Sequence, residues 1–379
     1  MEVYFDNAST TPLLSEVQEA MVKVIQENFG NPSSIHLQGR RSRILVEDAR
    51  KTIAQGLKAS TGEIFFTSGA TEANNTVLLG AINSLGVKRI ISTEIEHHCI
   101  LHTLDHIEKT GSAEIILLPV DKLGQINLDS LQQILVSSPI KTLVSIMHGN
   151  NEIGSIADIE RIAAICNTAN ALFHTDTAQT IGKIPIDLVS TPISFLCGAS
   201  HKFFGPKGTG FLYVNSDNQI QPLMHGGDQE RGMRSGTENI YGITGMAVAF
   251  AKSMEEMAER KTKILEVKRY FIDRLTSELQ DIKLNSTDNG LYHVLSVSFP
   301  PTDRSDMLMM NLDIAGIAAS SGSACSSGVE NDSHVLKAIG HDPRRKTVRF
   351  SLSHYNTKEE VDYVMEQLKN MTPAIATTE

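Results

Sequence analysis

Ser200-His201-Lys202-Phe203-Phe204-Gly205-Pro206-Lys207-Gly208-Thr209-Gly210 follows the apolar run from Ile193 to Cys197. A buried-looking segment passes there into a tight Gly/Pro-rich loop. Lys202 sits at the junction, among small residues, a hydroxyl and a histidine. Lysines ordinarily decorate surfaces. One hemmed in like this suits an amine that must lose its proton and form a Schiff base.

Outward from this stretch, short β-prone runs alternate with helical patterns. The candidate strands are Ile64 to Thr67, Arg89 to Ser92, Glu114 to Leu118, Thr142 to Met147, Leu172 to Thr175, Ile193 to Cys197 and Gly210 to Val214. Leu45, Ala49, Ile53 and Leu57 mark one helix, which Gly56 is expected to interrupt, and 158–170 marks another. Such alternation predicts a mainly parallel α/β sheet with ligands at the carboxyl ends of its strands. From about Met254 the character changes. A charged helix with Ile264, Val267, Phe271 and Leu275 on one face precedes strand-like runs at His293 to Phe299, Ile314 to Ala319 and Thr347 to Leu352. Thr357 and Glu360 form a capping-box signature for a last helix. Residues 13–253 therefore read as a large α/β domain, and residues 1–12 with 254–379 as a smaller α+β domain.

The composition narrows the class. The 379 residues are 41% apolar, enough for a sizeable core, and the net charge of -10 argues against a dedicated binder of nucleic acid or anionic membrane. The four cysteines, Cys99, Cys166, Cys197 and Cys325, show neither zinc spacing nor a disulfide framework. A reducing, cytoplasmic setting is expected, with no metal, no signal peptide and no transmembrane span.

Five constellations carry chemistry. Thr67-Ser68-Gly69-Ala70-Thr71-Glu72 follows a strand and opens a helix, so the N–H groups of Ala70 and Thr71 can cradle a phosphate. By itself it also reads as an ordinary N-capped helix. Asp176, just past a strand, can pair with a protonated pyridine nitrogen or serve merely as a loop residue. In Glu96-His97-His98-Cys99, one histidine can stack on a flat cofactor and move protons. Cys325 lies within the small, polar run Ser320-Ser321-Gly322-Ser323-Ala324-Cys325-Ser326-Ser327-Gly328, which suits a thiol nucleophile that must travel; the other three cysteines read as core fillers. Arg349, inside an apolar strand, calls for an anion, either a substrate carboxylate or a structural partner.

These pieces, in this order, resemble a cysteine desulfurase of the aminotransferase class V family. The resemblance spans essentially the whole chain. Further signposts are Asp6-Asn7-Ala8-Ser9-Thr10-Thr11-Pro12, Gly30-Asn31-Pro32, Asn150-Asn151-Glu152 and Arg234-Ser235-Gly236-Thr237. The loop around Cys325 is similar to that of the nitrogenase-associated and housekeeping iron–sulfur assembly type. The resemblance implies the type I fold of pyridoxal 5'-phosphate (PLP) enzymes, with a mainly parallel seven-stranded sheet and helices on both faces. It implies that Lys202 forms the Schiff base, that Asp176 holds the pyridine nitrogen, that Gln179 contacts the phenolic oxygen and that His97 stacks on the ring. Ala70, Thr71, Ser200 and His201 would bind the phosphate, and Thr237 would reach the phosphate of a partner subunit in a homodimer. Asn151 and Arg349, with Asn31 nearby, would hold the substrate carboxylate.

The activity implied is conversion of L-cysteine to L-alanine, with a persulfide on Cys325 passed to an acceptor such as an iron–sulfur scaffold or thiolation enzyme. The alternatives are a selenocysteine lyase or other PLP-dependent lyase or aminotransferase, and a non-catalytic sulfur-carrier subunit. Cys325 speaks against a plain aminotransferase. Joint retention of Lys202, Asp176, His97 and Cys325 speaks against an inert subunit. His354 stands where the family usually has glycine, and the tail after Thr372 is short. Both features bear on the acceptor rather than on the core chemistry.

Overall fold

The computed structural model describes residues 1–137, 139–302, 305–321 and 333–373. Strand β1 (Val3–Tyr4) is followed by helices α1 (Ser15–Glu27) and α2 (Leu37–Leu57). An alternating series comes next: β2 (Ile64–Thr67), α3 (Ala70–Leu85), β3 (Arg89–Thr93), α4 (His98–Lys109), β4 (Glu114–Leu118), α5 (Leu128–Ser137), β5 (Thr142–Ser145), α6 (Ile159–Thr168) and β6 (Leu172–Asp176). Strands β7 (Phe195–Ala199) and β8 (Gly210–Val214) and helix α7 (Ile240–Glu255) complete this part.

Among the described residues, β2 to β8 form a seven-stranded sheet in the order β2-β8-β7-β6-β5-β3-β4. Only β8 runs against its neighbours. Its link to β7 is too short for a crossover helix and so permits only an antiparallel return. Alternate strand residues point to opposite faces. Phe66, Ile91, Val144 and Leu196 pack on one face with Ile53 of α2 and Phe250 of α7, while Phe65, Ile90, Leu143 and Phe195 pack on the other with Val77 of α3 and Leu104 of α4. Because both faces are covered, neighbouring residues such as Phe65 and Phe66, Ile90 and Ile91, or Leu143 and Val144 are both apolar rather than alternating with polar ones.

The rest of the chain gives α8 (Met257–Glu278), β9 (Lys283–Leu284), β10 (Val294–Phe299), α9 (Leu308–Ile314), β11 (Ile317–Ala318), α10 (His334–Ala338), β12 (Lys346–Ser351) and α11 (Lys358–Met371). A separate core forms there: Val267, Phe271 and Leu275 of α8 pack with Val297, Phe350 and Val364. Phe5 joins it, its ring centroid 5.8 Å from that of Phe271. β1 pairs with β11, so the first residues are anchored to this second core.

Three local expectations are corrected. Gly56 does not interrupt α2; a Cβ there would lie 2.4 Å from the Phe250 ring, so the glycine admits α7. The strand expected at Ile193 to Cys197 starts two residues later, because Phe195 is the first of its residues to pair with β6, opposite His174, and with β8, opposite Val214. The run Ile314 to Ala319 is mostly not a strand. Gly316, at φ 76°, turns the chain between α9 and the two-residue β11. The capping box of Thr357 and Glu360 is formed as expected.

Candidate active site

The carboxyl ends of the sheet strands converge on a cavity of about 470 Å³. Strand β2 runs out at Thr67, and α3 begins two residues beyond Ser68. Gly69 at φ 156° makes that turn, and a Cβ on it would meet nothing within 4 Å, so the backbone faces open space. Among the described residues, no side chain caps α3. Its first-turn N–H groups, with Ser68, Ala70 and Thr71 lining the cavity, are therefore available to an anion at the positive end of the helix dipole.

Asp176 ends β6 on another wall. Its Oδ2 accepts from Asn74 Nδ2 at 2.7 Å, and its Oδ1 accepts from the Ala178 N–H at 2.8 Å. Asn74 is oriented in turn. With its amide nitrogen on Asp176, its oxygen must accept from His174 Nε2 at 3.1 Å, leaving His174 Nδ1 to accept from Ser145 Oγ at 2.9 Å. Burial pushes the His174 imidazole down to about 4, so the ring is neutral and has one proton to give. The chain from Ser145 through His174 and Asn74 fixes the carboxylate without neutralising it.

Lys202 closes the short helical turn Ser200–Lys202 directly after β7. Its Nζ donates to the backbone oxygens of Ala8 and Ser9, each at 2.7 Å. The N-terminal segment thus lies against the lysine, pinned by Thr11 to the His201 carbonyl (2.9 Å) and by Asn7 to the Ser351 carbonyl (2.9 Å). Gln179 spends one amide hydrogen on the Ala8 oxygen (2.8 Å), and its Oε1 lies 3.2 Å from His293 Nε2.

His97 caps α4, its Nδ1 accepting from the Cys99 N–H at 3.2 Å. A neutral ring must then carry its proton on Nε2. Burial lowers its pKa; the Asp176 charge opposes this and that of Lys202 adds to it. His98 lies outside the cavity lining, its ring against those of His102 and His334. Cys99 is not the core filler the sequence suggested, because it lines the cavity with His97. Burial, then the Asp176 charge, pushes its thiol up to about 12, which makes it a poor nucleophile. Cys166 and Cys197 are buried.

Arg349 reaches the cavity from β12. Its Nη2 donates to Asp6 Oδ1 (2.9 Å) and Ser9 Oγ (2.6 Å), and its Nη1 to the Asn151 carbonyl (2.8 Å). Its buried Nε has no hydrogen-bond partner among the described residues. The same holds for Ser200 Oγ and His201 Nδ1, on the turn that carries Lys202. Of the residues singled out from the sequence, Ala70, Thr71, His97, Asn151, Asp176, Gln179, His201, Lys202 and Arg349 line the cavity. Ser200 is buried behind it, while Asn31 and Thr237 are exposed elsewhere on the chain. Cys325 lies outside the described residues. Asn74, His174 and Lys183, which sequence reasoning missed, support the site from behind. His174 is legible in retrospect, two residues before Asp176 on the same side of a strand.

The aminotransferase class-V family model matches residues 3–364. The cysteine desulfurase IscS of Dictyoglomus turgidum is 41% identical over 381 residues, 99% of this chain and 96% of that protein. A solved NifS-like protein superposes with a TM-score of 0.89 at 36% identity, covering 98% of this chain and 99% of its own. A second structure, SspA in complex with cysteine, gives 0.82 at 32% identity, covering 94% and 100%. Among the described residues, no helix is long and apolar enough to cross a membrane.

Proposed function

The chain belongs to the class-V aminotransferase family, and from that premise we propose that it is a PLP-dependent cysteine desulfurase, converting L-cysteine to L-alanine and a protein-bound persulfide. The observation that carries the reading is one cavity holding Lys202, Asp176, His97 and an uncapped helix N-terminus. The donor set fits PLP. Ser200 Oγ, His201 Nδ1 and the first-turn N–H groups of α3, without partners among the described residues, suit its phosphate. The Asp176 carboxylate suits its pyridine nitrogen, the remaining Gln179 amide hydrogen its phenolic oxygen, and Lys202 its aldehyde. When bound, PLP supplies an electron sink that acidifies the Cα–H of an amino acid.

The residues then divide the work. Arg349 and Asn151 orient the carboxylate of L-cysteine, which fixes its Cα beside Lys202. Lys202 Nζ takes the proton from Cα and returns one later. His97, neutral at pH 7, exchanges a proton with the substrate thiol through Nε2, a role that typically contributes about 10²–10⁴-fold. The Cys325 thiolate attacks the substrate sulfur, forming an S–S bond as the Cβ–S bond breaks. The protein gains one sulfur atom, and L-alanine departs with the balancing proton. We take the active form to be a cytoplasmic homodimer, with Thr237 reaching the partner subunit's phosphate site. Residues 13–253 form its large domain and 1–12 with 254–379 its small one. The persulfide would pass to an iron–sulfur scaffold or thiolation protein.

The test is alanine and sulfide production from L-cysteine with a thiol reductant, alongside the visible spectrum. A yellow, active wild type beside a Cys325→Ala variant that stays yellow but releases no sulfide supports the reading. Full activity in Cys325→Ala removes the persulfide step and leaves a lyase.

A further inference from the structure

Lys183 lies in Thr180-Ile181-Gly182-Lys183-Ile184, just beyond the turn that carries Asp176 and Gln179, and is only 8% exposed. Its Nζ donates to the backbone oxygen of Lys202 at 2.8 Å and to that of Gln179 at 3.2 Å. One buried amine thus ties together the two turns that flank the cavity floor. Both acceptors are neutral carbonyls, so the ammonium is solvated but not neutralised. Burying a lysine this way is expensive, and a methionine would fill similar space at lower cost.

The charged and titratable groups around Lys183 are overwhelmingly basic. Lys202, whose carbonyl it bonds, lowers its pKa directly, Lys183 in turn lowers those of His201 and His293, and Arg260 lines the same small cavity. The Tyr292 hydroxyl donates to its backbone oxygen at 3.5 Å. Burial and the charge of Lys202 pull the Lys183 ammonium down to about 7. Its influence is therefore greatest below neutrality, where it holds its proton, and fades above.

We propose that Lys183 is a positioning residue for Lys202: it fixes the Lys202 backbone through the carbonyl and, while it holds its own proton, its like charge disfavours a proton on the Lys202–cofactor nitrogen. The inference rests on the reading that Lys202 forms a Schiff base with PLP. A nucleophilic amine must be neutral to act, and a neighbouring cationic group is one established way to make it so.

The experiment is a pH titration of the visible absorbance of the PLP-loaded protein without substrate, for wild type, K183M, K183Q and K183R. Loss of the charge in K183M and K183Q raises the apparent pKa of the Lys202–cofactor nitrogen by on the order of one unit. K183R keeps the wild-type value. If K183M fails to fold, the contrast of K183Q with K183R carries the test. Wild-type titration in K183Q, or equal shifts in K183Q and K183R, overturns the inference, because a merely structural role would not track charge. A wild type that takes up no PLP fails the functional reading instead. The coupling is then read from its other end, by NMR titration of the Lys183 amine in the cofactor-free, isotope-labelled protein, where a value unchanged in K202Q overturns the inference.

Discussion

Arg50 and Arg349 are both buried arginines paired with a carboxylate, yet they are used differently. Arg50 is nearly saturated: Nε faces Glu47 (3.2 Å), Nη1 bonds Glu230 Oε2 and the Ile64 carbonyl (both 2.7 Å), and Nη2 bonds Glu230 Oε1 (2.9 Å). Glu230 also accepts from the Phe66 N–H at 2.7 Å, which clamps the segment before α7 onto β2. Arg349 sits against Asp6, Ser9 and Asn151 in a cavity wall, but its Nε is unbonded among the described residues. A saturated guanidinium cross-links the fold. One left with a donor unspent is poised for an anion from outside.

Substitutions at each arginine sharpen this contrast. The largest effect is expected from Arg50→Met, which strands the Glu230 carboxylate. Both side chains are 2% exposed, and the loss should be about 3–5 kcal/mol of stability. Denaturant unfolding measures it, with KM for L-cysteine unchanged in whatever protein stays folded. Arg349→Lys should instead raise KM about 10–100-fold, through loss of the planar fork, with a smaller change in unfolding midpoint. A large stability loss with unaltered KM would make Arg349 another cross-link. Asp6→Asn keeps the shape beside Arg349 but removes the charge. Its KM should move less than about tenfold, since Asp6 is 19% exposed and screened.

A pH-dependent effect concerns Glu96, a buried carboxyl whose Oε1 accepts from Thr93 and the Met147 N–H while its Oε2 is unbonded among the described residues. Burial raises it to about 8. The folded protein therefore binds this proton more tightly than the unfolded chain, so its contribution is full below the ordinary 4.5 and is lost as pH rises through about 8. Glu96→Gln should flatten that decline, as unfolding midpoints between the two limits would show.

Legibility in the sequence followed locality. The start of α3, Asp176 and Lys202 each sit at a strand end beside their own turn, so a short window carries both the element and the side chain. Seven strands were visible for a similar reason, since buried parallel strands are short apolar runs bounded by turn residues. The partner of Arg349 was not visible: Asp6 lies 343 residues away and meets it because β1 pairs with β11 and Asp6 itself bridges Ser351 of β12. Lys183 was missed because its bonds are to carbonyls, which leave no side-chain signature. The β11 region misled because Ile314 to Ala319 is apolar in either state, and the Gly316 turn decides it.

The most direct test of the central claim is intact-protein and peptide mass spectrometry after a single turnover with L-cysteine and no reductant. The account predicts one added sulfur atom on the peptide bearing Cys325 and one alanine released per sulfur. Alanine formed with no sulfur on the protein, or sulfur on Cys99 instead, would contradict it.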